Sequence, residues 1–280
     1  MQPLHLSMRS AAMSISHLPY PRPQYTRRIL NTALSTAYNA PPRSQRRPLS
    51  SQTPSTSARL TGRTCMITGG TSGIGFAIAN RFLQEGAERI ILVGRSYERL
   101  LKAATRLQVN DEGARNQEAA DETVPKPQGT LVESSDRISL LVGDVSEAGS
   151  WLRELEKAMT RPPSKCIINI SSLLALKGGT GAVSYAASKA GLLGLTRSLT
   201  VEATGSLRNV VVRSNAIVPG YIETPMIADF SEGQNERLKE SIPLGRFGAP
   251  EEIADAAVFL AGNEYANNCV INLDGGLSAV

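Results

Sequence analysis

Tyr185 and Lys189 stand four residues apart in Tyr185-Ala-Ala-Ser188-Lys189, the spacing that puts two side chains on one face of a helix. A phenol ordinarily loses its proton near pH 10, and an ammonium one turn away stabilises the phenolate and lowers that value. Such a pair suits a general acid for a carbonyl oxygen that is receiving hydride. Thirteen residues upstream of the tyrosine, the apolar run Ile168-Asn-Ile ends in two hydroxyls, Ser171 and Ser172, either of which could hold the same oxygen. A lone Tyr-x-x-x-Lys is commonly a helix surface pair. Placed after a strand-end serine, it becomes a specific signal.

The rest of the composition narrows the chemistry. Both histidines, His5 and His17, fall in the first seventeen residues, outside the part that reads as folded, and the three cysteines, Cys65, Cys166 and Cys269, are far apart. Ser-His-Asp hydrolysis, Cys-His proteolysis and histidine-ligated metal sites are therefore excluded, and no metal is expected. No run approaches the ~18 apolar residues of a membrane-spanning helix.

A second constellation lies nearer the N-terminus. Thr68-Gly69-Gly70-Thr71-Ser72-Gly73-Ile74-Gly75 follows an apolar run and opens a helical pattern. Glycines at 69, 73 and 75 permit a sharp turn and close approach of backbone to a pyrophosphate, and the helix start presents free N–H groups, with Thr71, Ser72 and Ile74 in the same cradle. Where the next strand ends, a carboxylate would grip an adenosine ribose 2′-OH. This chain has Val93-Gly94-Arg95-Ser96 instead, and Arg95 suits a 2′-phosphate, which favours NADPH over NADH.

These groups need a scaffold, and the periodicity supplies one. Apolar runs at 63–68, 89–93, 138–142, 166–170, 210–218 and 269–273 predict strands. Helical patterns occupy 72–84, 97–109, 151–159, 185–203 and 250–261. Alternation of the two predicts a single α/β domain with a doubly wound parallel sheet, a Rossmann fold. The polar stretch 110–136 reads as a solvated insertion.

Charge divides the chain into two parts. Residues 1–60 carry eight arginines and no acid, with ten serines and half of the sixteen prolines; the remaining 22 bases face 25 acids, so 61–280 carries about −3. A basic, serine-rich, acid-free leader with an amphipathic stripe over 25–38 reads as a mitochondrial transit peptide, the alternative being a disordered tail. A mildly acidic folded part argues against nucleic acid as partner.

Taken together, residues 61–280 resemble the short-chain dehydrogenase/reductase family, and within it the 3-oxoacyl-(acyl carrier protein) reductases and their mitochondrial carbonyl-reductase relatives. The cradle at 68–75 matches that family, as do Gly143-Asp144-Val145 and Leu273-Asp274-Gly275-Gly276. So does Asn215-Ala-Ile-Val-Pro219-Gly220-Tyr-Ile222-Glu-Thr224-Pro. The resemblance implies Ser172, Tyr185 and Lys189 as catalytic residues, and Asp144 with Val145 at the adenine. It also implies Pro219, Gly220, Ile222 and Thr224 at the nicotinamide, with Tyr185 and Lys189 touching the cofactor as well. It further implies NADPH-dependent reduction of a 3-oxoacyl thioester on acyl carrier protein in fatty acid synthesis, in a homo- or hetero-tetramer in the mitochondrial matrix.

One departure from the family stands out. The resemblance implies a further strand, ending in an Asn-Asn-Ala-Gly-like motif, and a helix with a catalytic asparagine between the 138–142 and 166–170 strands. Only residues 146–164 are available there, against the ~30 of a full βαβ unit, and Asn-Ala-Gly occurs nowhere. A central strand-helix unit is expected to be missing and the chain to turn over poorly. Alternative readings are a reductase of a small carbonyl, quinone or steroid, and a non-catalytic subunit or mis-spliced product.

Overall fold

The computed structural model describes residues 58–110, 127, 129–146, 164–206, 211–227 and 230–280. All of them belong to the second of two compact units into which the chain divides, 54–280.

The apolar runs become strands where sequence periodicity places them. β1 is Thr64–Thr68, β2 Arg89–Gly94 and β4 Ile138–Val142. Every residue of β4 and the middle four of β2 are buried, which is what a parallel strand covered on both faces requires. Between β1 and β2 lies α1, Gly73–Gln84, which buries Ala77, Ile78, Phe82 and Leu83 and ends where Gly86 takes φ +81°. α2, Tyr97–Asn110, buries Tyr97, Leu100, Ala104 and Leu107, one stripe at i, i+3, i+7 and i+10.

The second half opens with β5, Ser164–Ile170, and continues through the short α3, Leu174–Lys177, and the long α4, Val183–Ser206. There follow β6, Val211–Pro219, α5, Glu232–Ser241, α6, Pro250–Gly262, and β7, Val270–Leu273. Proline at the first turn of α6 with Glu251 and Glu252 beside it gives that helix a strong start.

One expectation is corrected. The 110–136 stretch is not wholly a solvated insertion: its end, Leu131–Ser135, forms β3, antiparallel to β4 with a register shift between Glu133 and Ser135. A short turn returns the chain at once, and Val132 packs on the core. The expected helix at 151–159 lies outside the described residues.

The strands form two sheets, in keeping with the missing central unit that the sequence predicts. One has the order β1-β2-β4-β3, the other β5-β6-β7, and among the described residues no strand lies between β1 and β5. The α/β class and the parallel pairing of β1 with β2, β2 with β4, β5 with β6 and β6 with β7 are as expected. The two sheets share one cover. Ile67 of β1 and Ile168, Ile170 and Ile217 of the second sheet belong to one apolar cluster with Ile253, Ala254, Ala257 and Val258 of α6.

Arg213 fastens this cover to β6. Its guanidinium is 1% exposed and donates to the carbonyls of Leu260 at 2.8 Å, Ala261 at 2.9 Å and Ala266 at 2.9 Å. Two of these are final carbonyls of α6, which have no partner within the helix. Glu264 faces the same guanidinium at 3.4 Å, an ion pair rather than a hydrogen bond, and pairs also with Arg63 just before β1.

Candidate active site

The glycine-rich loop leaves the C-terminal end of β1 and enters α1. Gly69 and Gly73 have φ of +70° and +53°, which side chains rarely adopt, and a β-carbon on Gly75 would stand 2.4 Å from the carbonyl oxygen of Gly69. Ser72 caps α1 in extended conformation without a side-chain hydrogen bond, and the first turn holds no acid. The positive end of the helix is thus left for an external anion. Thr71 and Ile74 are half-buried in the same loop.

Beyond β2 and β4 lie the groups expected at the adenosine end. Gly143 N–H donates to Gly94 O at 2.9 Å, which sets Arg95 and Asp144 side by side. Asp144 accepts from the amide of Ser146 at 3.0 Å and its hydroxyl at 2.7 Å. Those bonds, with the nearby positive charge of Arg95, hold its carboxyl below the usual range. Arg95 and Val145 are exposed.

The groups expected to react lie at the C-terminal end of β5 and in the first turns of α4. Lys189 Nζ donates to Ile170 O at 2.9 Å and lies 5.6 Å from the centre of the Tyr185 ring. Burial lowers its affinity for a proton. The two serines, equivalent by sequence, part company here. Ser171 is buried and donates to Lys189 O at 2.8 Å, whereas Ser172 is half-buried and accepts from the Leu174 amide at 3.2 Å. Tyr185 is exposed.

The loop after β6 closes the site from the other side. Pro219 O accepts from Leu173 N–H at 2.8 Å, and Gly220 N–H donates to Leu273 O at 2.9 Å. Gly220 has no room for a side chain, because its β-carbon would stand 2.8 Å from Asp274 Cα. Ile222 is buried and bridged to Gly248, and Thr224 reaches Gly73. Beyond Thr224 a cavity of about 420 Å³ is lined by Glu223, Pro225, Ile227, Asn235, Lys239 and Phe247. Two of these residues sit on α5, which periodicity missed because it has no apolar stripe. Its signal was the capping box, in which Ser231 and Gln234 bond each other's backbone amides.

The chain matches known proteins over most of its length. Residues 63–124 fit the short chain dehydrogenase family and 126–278 the enoyl-(acyl carrier protein) reductase family. The chain belongs to the short-chain dehydrogenase/reductase family. It is 34% identical over 250 positions to the 3-oxoacyl-[acyl-carrier-protein] reductase of Aquifex aeolicus, covering 78% of this chain and 98% of that one. With the corresponding Thermotoga maritima reductase it is 34% identical over 251 positions, covering 78% and 99%. Among solved structures, the RhlG/NADP active-site complex of Pseudomonas aeruginosa has TM-score 0.63 and 26% identity, over 80% of this chain and 99% of that one. A gluconate 5-dehydrogenase-like protein of Beutenbergia cavernae, with bound NADP, has TM-score 0.60 and 25% identity, over 80% and 100%.

Membership makes this chain a short-chain oxidoreductase with a nicotinamide cofactor, and the cradle described above fits one. The same alignment measures the departure. In the Aquifex comparison 250 positions take up 78% of 280 residues, about 218, so about 32 of the relative's positions have no counterpart here. That is the size of one strand-helix unit.

Proposed function

We propose that this chain binds NADPH and carries the acid–base groups for reducing a 3-oxoacyl thioester of acyl carrier protein, with little turnover in the form described. The observation that carries the reading is the position of Lys189, anchored on Ile170 O at the end of the serine-bearing strand, one helical turn from Tyr185.

In this reading the bound cofactor supplies a hydride to the substrate carbonyl carbon. The hydroxyl of Ser172 donates a hydrogen bond to the carbonyl oxygen, and Tyr185 Oη passes its proton to that oxygen as negative charge develops. Lys189 stabilises the phenolate left behind and orients the ribose. Gly69, Thr71, Ser72, Gly73, Ile74 and Gly75 cradle the pyrophosphate. Asp144 and Val145 face the adenine, Arg95 the 2′-phosphate, and Pro219, Gly220, Ile222 and Thr224 the nicotinamide.

The weak turnover follows from the divided sheet. The cradle rides on one sheet and the reacting residues on the other, and among the described residues no strand lies between them. A shift of about 1 Å between reacting groups already costs on the order of a hundredfold in rate.

Two further parts belong to the proposal. An oligomer is supported by α4, whose Val183, Leu195 and Val201 are exposed, and by the exposed edge residue Val270 of β7. Entry into mitochondria is supported by the composition of residues 1–60, which lie almost wholly outside the described residues.

The test uses the full chain. Titration by nucleotide fluorescence should show saturable NADPH binding, while oxidation of NADPH by acetoacetyl-CoA should stay far below the roughly 1–1000 per second of ordinary enzymes. Ordinary turnover would refute the claim of inactivity. Absence of NADPH binding would refute the reductase reading itself.

A further inference from the structure

The turn that follows β7 touches three loops around the candidate site. Gly220, after β6, donates its N–H to Leu273 O at 2.9 Å, and a β-carbon there would stand 2.8 Å from Asp274 Cα. Leu244, after α5, donates its N–H to Gly275 O at 3.2 Å. Leu277 is buried in one apolar cluster with Ile242, Phe247 and Leu173, the neighbour of Ser172. From the same loop after β5, Lys177 Nζ donates to Leu277 O at 2.8 Å and to Val280 O at 2.5 Å.

Asp274 stiffens this turn. Its Oδ1 accepts from Gly276 N–H at 2.9 Å and its Oδ2 from Ser278 N–H at 3.0 Å. The backbone adds Leu277 N–H to Asp274 O at 3.2 Å and Ala279 N–H to Gly276 O at 3.0 Å. Gly276 takes φ +93°, a conformation that side chains rarely adopt.

Ser172 depends on such an anchor. Its Oγ accepts from Leu174 N–H, which uses a lone pair and leaves the hydroxyl proton for an acceptor outside the chain. That bond lasts only while α3 keeps its form. With four residues α3 is too short to hold itself in water, and it stops where Gly178 takes φ +72°. Its fixed points lie outside it. At the near end Leu173 N–H donates to Pro219 O, and at the far end Lys177 grips the turn after β7. An ammonium on a flexible stem suits this grip, because it has donors for both carbonyls.

We propose that Lys177 and Asp274 are positioning residues for Ser172: Asp274 shapes the turn after β7, and Lys177, held by that turn, keeps the α3 backbone where it aims the serine hydroxyl at the substrate carbonyl. This assignment rests on the reductase reading, in which Ser172 bonds that carbonyl. Both residues act through the backbone of α3.

The full chain is loaded with NADP+, which cannot deliver hydride, and with acetoacetyl-CoA isotopically labelled at its ketone carbonyl. In the native chain the infrared band of that carbonyl should move to lower frequency on binding, and Ser172→Ala should abolish the move. Lys177→Met should lose most of it and Lys177→Arg should restore it, with NADP+ affinity within about twofold of native in both. Hydrogen exchange at Leu174 and Ala175 should quicken about tenfold in Lys177→Met. Asp274→Asn, which keeps one acceptor oxygen, should show both effects in smaller measure. A Ser172-dependent shift that Lys177→Met leaves unchanged would overturn the assignment while the reductase reading stands. So would a loss that Lys177→Arg does not repair, or one matched by an equal loss of NADP+ affinity, which marks general loosening. A native chain with no Ser172-dependent shift would overturn the reductase reading and this assignment with it.

Discussion

Thr224 rests against Gly73: a β-carbon at position 73 would stand 3.2 Å from Thr224 Cγ2. Gly73 opens α1 after the first sheet, and Thr224 ends the loop that leaves the second. With no backbone pairing between β1 and β5, this contact helps hold the two halves of the candidate site at their C-terminal ends. The cradle and the reacting residues therefore depend on loop contacts, α6 and ion pairs for their relative position.

Gly75→Ala should remove nucleotide binding. The new methyl would fall 2.4 Å from Gly69 O, a backbone atom in a tight turn, so the loop itself must open. A stability loss of about 1–3 kcal/mol is expected from such overpacking. A urea melt measures the loss, and an NADPH titration should show affinity reduced by at least about tenfold.

Arg95→Asp should lower the ratio of NADPH to NADH affinity. Arg95 is exposed beyond β2 and adjoins Asp144, so the substitution is expected to leave folding intact while placing a second carboxylate where a 2′-phosphate would lie. Parallel titrations with the two nucleotides decide it. An unchanged ratio would make Arg95 a surface arginine only.

Lys189→Met should change the pH dependence of stability. Burial depresses the folded-state pKa of Lys189, so between that value and the ordinary lysine value the unfolded chain binds more protons than the folded one. Folding stability of the native chain therefore rises with pH across that window, and its contribution is lost as pH falls through the depressed value. Thermal melts from pH 7 to 10 should show a smaller rise in the methionine variant.

Arg213→Ala should be strongly destabilising, by about 3 kcal/mol or more, because three buried carbonyls lose their donor and a cavity opens between β6 and α6. Arg213→Lys should recover part of the loss, since a single ammonium cannot reach all three carbonyls. Chemical denaturation of the two variants gives the comparison.

Local structure was largely legible in the sequence because its causes are local. Alternating and continuous apolar runs marked β1, β2, β4, β5, β6 and β7, and the i, i+3, i+7 stripe marked α2. The glycines at 69, 73 and 75 announced a turn with no room for side chains, and the spacing of Tyr185 and Lys189 put them on one face of α4. The polar α5 escaped because its helix is capped rather than amphipathic. β3 escaped because its partner, not its own pattern, makes it a strand.

What the tertiary structure alone decided is which edges and side chains meet. Ser171 and Ser172 read alike in sequence, and only the packing of α4 buries the first and leaves the second accessible. The shortage of residues between 146 and 164 predicted a missing strand, but not whether the neighbours would close over it. They do not pair: β1 and β5 end separate sheets. Their sequences read the same whether a strand lies between them or not, because alternation records which faces are buried. Pairing depends on backbone groups that every residue type shares, and so only the fold determines it.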